Sequence, residues 1–151
     1  MQFQHEKLVD IIEEMYPMLV DHFKEAEDGV VEDKEYRLNV DWSTYKRLED
    51  IGVLYVLTVR DNGKLVGYNW YVVHPSLHMM DCNTAHEDIH YLLPSHRKGW
   101  TAVKMFKFAE QFLKSKGANR IMIGVKVKGN RDKLFKYLGY EVTEKLFMKG
   151  L

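Results

Sequence analysis

At 151 residues the chain is long enough to form one domain that buries a core without disulfide or metal staples. Lys plus Arg and Asp plus Glu number 22 each, so no net charge draws the chain to nucleic acid or to a membrane surface. The single Cys82 excludes an internal disulfide, and no run of about 18 apolar residues could span a bilayer. The N-terminus turns acidic at once instead of showing a signal-peptide pattern, so the expected location is the cytoplasm.

From Glu6 to Ala26, Leu8, Ile11, Ile12, Met15, Met18, Leu19 and Phe23 recur at helical spacing, with Pro17 expected to kink or split the helix. The acidic stretch 27–35, with Gly29 inside it, reads as a loop. "LNVDWSTYKRLEDIG" (38–52) predicts a short extended piece and then a helix capped by Asp41 and ended by Gly52. After that the period becomes extended. Residues 53–59 and 64–73 are rich in branched and aromatic side chains and flank Asn62-Gly63, a two-residue hairpin signal.

A third strand is expected at 85–93 and a helix at about 100–116, ended by Gly117. The chain then predicts a strand at 120–127, a short helix at 131–138 and a closing strand or hairpin arm at 140–150. The whole chain, 1–151, reads as a single α/β domain. Antiparallel strands followed by β-α-β-α-β indicate a mixed sheet with helices on both faces.

One junction carries chemistry. "LLPSHRKGWTA" (92–102) joins a strand to a helix through Pro94, His96, Arg97, Lys98 and Gly99. A helix start leaves amides unpaired and favours an anion, and added cations suit a large one such as a pyrophosphate. A solvated basic turn is the plain alternative.

This segment, in this element order, resembles the CoA loop of the GNAT superfamily of acetyl-CoA-dependent N-acetyltransferases, with Leu92, Pro94, Arg97 and Gly99 in comparable places. "FAEQFLKSKGANRIMIGV" is similar to that family's next helix, turn and strand, and "KLFKYLGYE" to its final helix end. The chain is also similar in flavour to small GNAT-like proteins of tailed phages, whose location would be the host cytoplasm. His96, Trp100 and Thr101 depart from the usual glycine-rich pattern, and Phe135 stands where many members carry a Tyr that protonates the leaving thiolate.

The resemblance implies a GNAT-like fold and acetyl-CoA as co-substrate, held by Leu92, Leu93, His96, Arg97, Lys98, Gly99, Trp100 and Thr101. Asn130 would meet the pantetheine arm. It also implies that the strands at 85–93 and 120–127 part to admit that arm, and it allows a homodimer. Trp42, Tyr45 and Tyr68 fall where an acceptor pocket would lie.

Amine acetylation needs a group to take a proton. His86, Asp88 and His90 alternate and therefore project from one face of the strand, and by the resemblance His86 falls near the family's catalytic position, with His86 or Asp88 as base or positioner. The alternative is that these side chains satisfy buried backbone or one another. Strand residues two apart are about 6.6 Å apart, wide for one metal, so no metal is expected. The expected function is direct acetyl transfer from acetyl-CoA to an amine in a ternary complex, with no nucleic-acid or membrane partner. The rival is a weak or inactive GNAT-fold binding protein acting through a partner protein.

Overall fold

A computed structural model describes residues 1–27, 38–126 and 132–149. Asn130 and most of the acidic stretch at 27–35 lie outside the described residues. In chain order the elements are β1 (Gln2–His5), α1 (Leu8–Glu27), α2 (Trp42–Asp50), β2 (Leu54–Asp61), β3 (Lys64–Ser76), β4 (Met79–Leu92), α3 (Thr101–Ser115), β5 (Arg120–Met122) and α4 (Asp132–Tyr137), with a 3-10 turn at Pro94–His96. The sheet order is β1-β2-β3-β4-β5. All neighbours are antiparallel except β4 and β5, which run parallel. This is the mixed α/β architecture expected of the GNAT fold.

Local chemistry explains several boundaries. Asp41 caps α2, accepting from the Thr44 amide at 3.0 Å and from the Ser43 and Thr44 hydroxyls at 2.6 and 2.7 Å. Asn62 and Gly63 both take positive φ, 48° and 82°, which matches the right-handed twist of the β2–β3 hairpin. α1 and α2 cover one face of the sheet, packing Leu8, Ile11 and Met15 on Val56, Tyr68 and Trp70. α3 covers the other, with Ala109 and Leu113 on Leu57 and Tyr71, and α4 joins it through Phe135 on Phe106.

Three expectations are corrected. α1 is not split at Pro17: the proline sits on the exposed side, so the carbonyl that loses its N–H partner faces water. β1 escaped the pattern reading because four residues around a single Phe3 show no period, and β4 begins at Met79, well before the expected start, because its first residues pair with the end of β3 although Leu77 and Met80 are exposed there. The closing strand does not form, since Glu141–Lys149 make no ladder. Alternating apolar residues make a strand only when an edge pairs with them.

Candidate functional site

β4 and β5 pair at only three positions, Thr84↔Arg120, Ala85↔Ile121 and His86↔Met122. Beyond His86 the two strands part, as the resemblance implies. The side of β4 from Glu87 to Leu92 that would face β5 therefore carries no ladder.

At the same point β4 bulges. Trp70 pairs with Ile89 but Tyr71 pairs with Glu87, so Asp88 is an extra residue with no partner on β3. An inserted residue reverses the alternation of side chains on either side of it. His86, opposite Val72, lies on the α1–α2 face, whereas His90, opposite Asn69, lies on the α3–α4 face together with Glu87. The expectation that His86, Asp88 and His90 share one face is therefore overturned.

The two faces differ in chemistry. On the α1–α2 side the His86 ring stacks on His74, with centroids 4.8 Å apart and planes at 12°. Burial, then His74 and Arg120, hold the His86 pKa below its usual value, while Glu144 pulls weakly the other way. The uncharged form of His86 is thereby favoured at neutral pH. Asp88 is exposed and accepts a hydrogen bond from the Tyr45 hydroxyl at 2.7 Å. Burial, reinforced by Asp88, pushes the Tyr45 pKa up, so this phenol stays a donor. Tyr45 stands edge-on to Trp70 at 5.0 Å, and the buried Trp70 indole N–H has no hydrogen-bond partner.

On the α3–α4 side Glu87, whose side chain is 4% exposed, pairs with His90. Phe106 and Phe135 pack edge-on against that His90 ring, at 5.4 and 6.1 Å. Two aromatic rings thus flank this pair.

At the far end of β4 the loop begins, and Leu93 is anchored by its amide to the Val66 carbonyl at 2.9 Å. Arg97 turns back into the protein: its Nε donates to the Leu92 carbonyl at 2.7 Å and its terminal nitrogens to the two Glu25 oxygens at 2.9 and 2.6 Å. The guanidinium also lies 5.2 Å over the Tyr91 ring. His96 reaches Asp61 at 3.3 Å. Both side chains are thus engaged within the chain and stitch the loop to α1 and to the β2–β3 hairpin.

Lys98, Gly99, Trp100 and Thr101 form the approach to α3. Gly99 has φ 75°, and a Cβ there would meet nothing within 4 Å. α3 has no side-chain cap at Trp100, so its first amides are open to an anion. Beside them a groove of about 320 Å³ runs between Gly99, Trp100, Val103, Lys133, Leu134 and Tyr137. The exposed rings of Trp100 and Tyr137 stand 5.8 Å apart across it. Phe135 points the other way, buried against Phe106 at 4.9 Å.

The structure thus brings His86 and Asp88 to the point where β4 leaves β5, and the 98–101 segment to the other end of the same free edge. His90 pairs with Glu87, Arg97 with Glu25 and His96 with Asp61. Sequence reasoning missed the Glu87–His90 pair and the Tyr45 contact to Asp88. The first is hidden by the bulge, and the second joins residues 43 apart with no local signal. Among the described residues no group of three His, Cys, Asp or Glu side chains is placed to hold a metal ion, and no helix is long and apolar enough to cross a membrane.

Residues 12–140 match the acetyltransferase (GNAT) family. No curated protein matches by sequence. Among solved structures the chain resembles a ribosomal-protein-alanine N-acetyltransferase from Brucella melitensis biovar Abortus 2308, at TM-score 0.72 and 14% identity with 100% of both chains covered. It also resembles the aminoglycoside acetyltransferase meta-AAC0020 from an uncultured soil metagenomic sample, in complex with sisomicin, at 0.73 and 14%, covering 99% of this chain and 95% of that one. A third is the aminoglycoside N-acetyltransferase AAC(6')-Iy in complex with CoA, at 0.70 and 14%, covering 99% and 98%.

Proposed function

The chain belongs to the acetyltransferase (GNAT) family, and from that premise we propose that it moves an acetyl group from acetyl-CoA directly to an amine, with both substrates bound at once. The observation that carries this reading is the free edge of β4: it starts at the Asp88 bulge and ends at the uncapped start of α3. Acetyl-CoA, when bound, supplies an activated acetyl thioester.

The residues present fit such a donor. The open space at Gly99 and the unpaired amides of α3 suit a pyrophosphate, with Lys98 adding charge. The unpaired backbone of Glu87–Leu92 offers hydrogen bonds to an amide-containing arm. Leu92, Leu93, Trp100 and Thr101 frame the turn between these two regions. On the α1–α2 face, exposed Asp88 attracts a cationic amine, and Tyr45 fixes the direction of its carboxylate. His86, held neutral, takes the proton the amine must lose, directly or through a water.

Phe135, which stands by the resemblance where many members carry a Tyr, has no proton to give the departing thiolate and is buried, which favours slow turnover. Its limit is a fold that binds acetyl-CoA and acts through a partner protein. A thermal-shift titration with acetyl-CoA, followed by thiol-release assays over a panel of small amines, peptide N-termini and lysines, separates the readings. Binding with thiol release on any acceptor supports transfer, and binding with a silent panel moves the assignment to the partner-binding reading. No binding removes the donor site altogether.

A further inference from the structure

The bulge at Asp88 sets two imidazoles on opposite faces of β4, His86 towards α1 and α2 and His90 towards α3 and α4. His86 has a place in the proposed transfer, whereas His90 so far has none. Both border the free edge, because the pairing of β4 with β5 ends at His86 and Glu87–Leu92 carries no ladder on that side.

His90 is held as a proton carrier is held. Its Nδ1 pairs with the Glu87 carboxylate, whose side chain is 4% exposed, while the His90 side chain is 24% exposed. No hydrogen bond among the described residues engages its Nε2. A carboxylate fixed on one ring nitrogen sets the tautomer and leaves the other nitrogen to take or give a proton. Phe106 and Phe135 stand edge-on to the ring and have no proton to exchange. The other titratable groups around Glu87 on this face are Tyr71, Tyr140 and Glu110. Burial, then Glu87 for Tyr71 and Glu110 for Tyr140, pushes both phenols up, so they hold their protons. Glu110 accepts from the Tyr140 hydroxyl. Among the described residues on this face, His90 is thus the group suited to exchange a proton near neutrality.

Acyl transfer moves protons at two ends. The amine loses one where it attacks, and the sulfur gains one where it leaves, on different sides of the acetyl carbon. A base and an acid on opposite faces of one strand match that demand. Resting on the transfer from acetyl-CoA set out above, we propose that His90, held by Glu87, is the general acid that protonates the departing sulfur. As the nitrogen–carbon bond forms and the carbon–sulfur bond breaks, the electron pair leaves on sulfur and takes the proton of His90 Nε2. His90 regains a proton from water, and His86 passes the amine's proton to water. His90 thereby supplies part of what Phe135 cannot.

Two measurements on the full chain test this. The first needs no turnover: the ring signals of His90 are followed by nuclear magnetic resonance during titration with CoA, and with a CoA analogue that lacks the sulfur. CoA should shift the Nε2 signal and the analogue should not. Equal shifts from the two, or none from bound CoA, overturn the proposal. The second is kcat against pH on an amine that gives thiol release. His90→Gln should lower kcat by about 10²-fold, the low end for proton transfer, because a thiolate of pKa about 8.5 leaves in part unaided. It should also remove the basic limb of the profile, keep the acid limb that belongs to His86 and leave CoA affinity unchanged. If His90→Gln does not fold, the comparison of CoA with its analogue on wild type decides alone. A wild type that binds CoA and transfers to no acceptor overturns the transfer reading and this assignment together. Wild-type turnover that His90→Gln leaves intact overturns this assignment alone.

Discussion

An imidazole can accept a proton only while it is uncharged, and the surroundings of His86 keep it so. Burial and the neighbouring His74 and Arg120 lower its pKa from 6.5. The lowered pKa favours the uncharged form at neutral pH, and turnover should fall as pH drops through that lowered value. His86→Ala should cut turnover by about 10² to 10⁴-fold and erase the acid limb. Asp88→Asn should cost less if, as proposed, Asp88 attracts and orients the amine and His86 takes the proton. Pre-steady-state and steady-state rates across pH check both, and a larger loss for Asp88→Asn would make Asp88 the base. At Asp41 the sign runs the other way. Hydrogen bonds from Ser43, then Thr44, depress its pKa from 3.8 to about 2. A carboxylate whose folded pKa lies below its unfolded value adds stability above the unfolded pKa, and that stability fades as pH falls through the folded one. Urea midpoints of wild type and Asp41→Ala should thus differ by a constant amount near neutrality and converge as pH approaches the folded value.

Elements in this chain start and stop where local chemistry demands it, and those points were legible in the sequence. Asp41, Asn62-Gly63 and Gly117 act through their own backbone or the next few residues, so neighbouring letters suffice. The bulge at Asp88 is different. It exists because β3 pairs with Ile89 and then with Glu87, a fact about another strand, and without it the alternation of His86, Asp88 and His90 reads wrongly. The loop at 94–100 stands between these cases. Its basic letters announced an anion site, yet Arg97 finds Glu25 on α1 and His96 finds Asp61, contacts that no spacing reveals. The part of the segment left open is Lys98, Gly99 and the start of α3, which the proposed donor site uses. With acetyl-CoA at 100 times its dissociation constant, wild type should gain about 2.7 kcal/mol of stability. Gly99→Glu should abolish that gain by placing a negative side chain in the open space. Gly99→Ala, which shares the strain of φ 75° without the charge, should retain part of it. Equal shifts in wild type and Gly99→Glu would place the donor elsewhere.

Across the whole molecule, order is concentrated in the long antiparallel strands. β2, β3 and β4 are paired over most of their length and sandwiched between helices, whereas β5 holds on by three residue pairs and α4 spans six residues. The sequence showed the mixed sheet and the flanking helices because each is a periodic run. It did not show how little of the 120–127 stretch would pair, since a parting of strands leaves no mark on the pattern of either. The unequal pairing has a measurable consequence. In hydrogen exchange, central amides of β2 and β3 should open only with global unfolding, while those of β5, held to β4 by three residue pairs, exchange more readily. A ligand that occupies the parted strands protects only what it touches. Acetyl-CoA should therefore slow exchange chiefly at Glu87–Leu92 and at the first turn of α3, leaving the β3–β4 tip at 77–78 unchanged. CoA alone should reproduce most of that protection, because the arm and the phosphates make these contacts and the acetyl group adds one end. Protection confined to the groove at Trp100 and Tyr137, with Glu87–Leu92 exchanging as in the free protein, would mean that the free edge of β4 does not receive the arm.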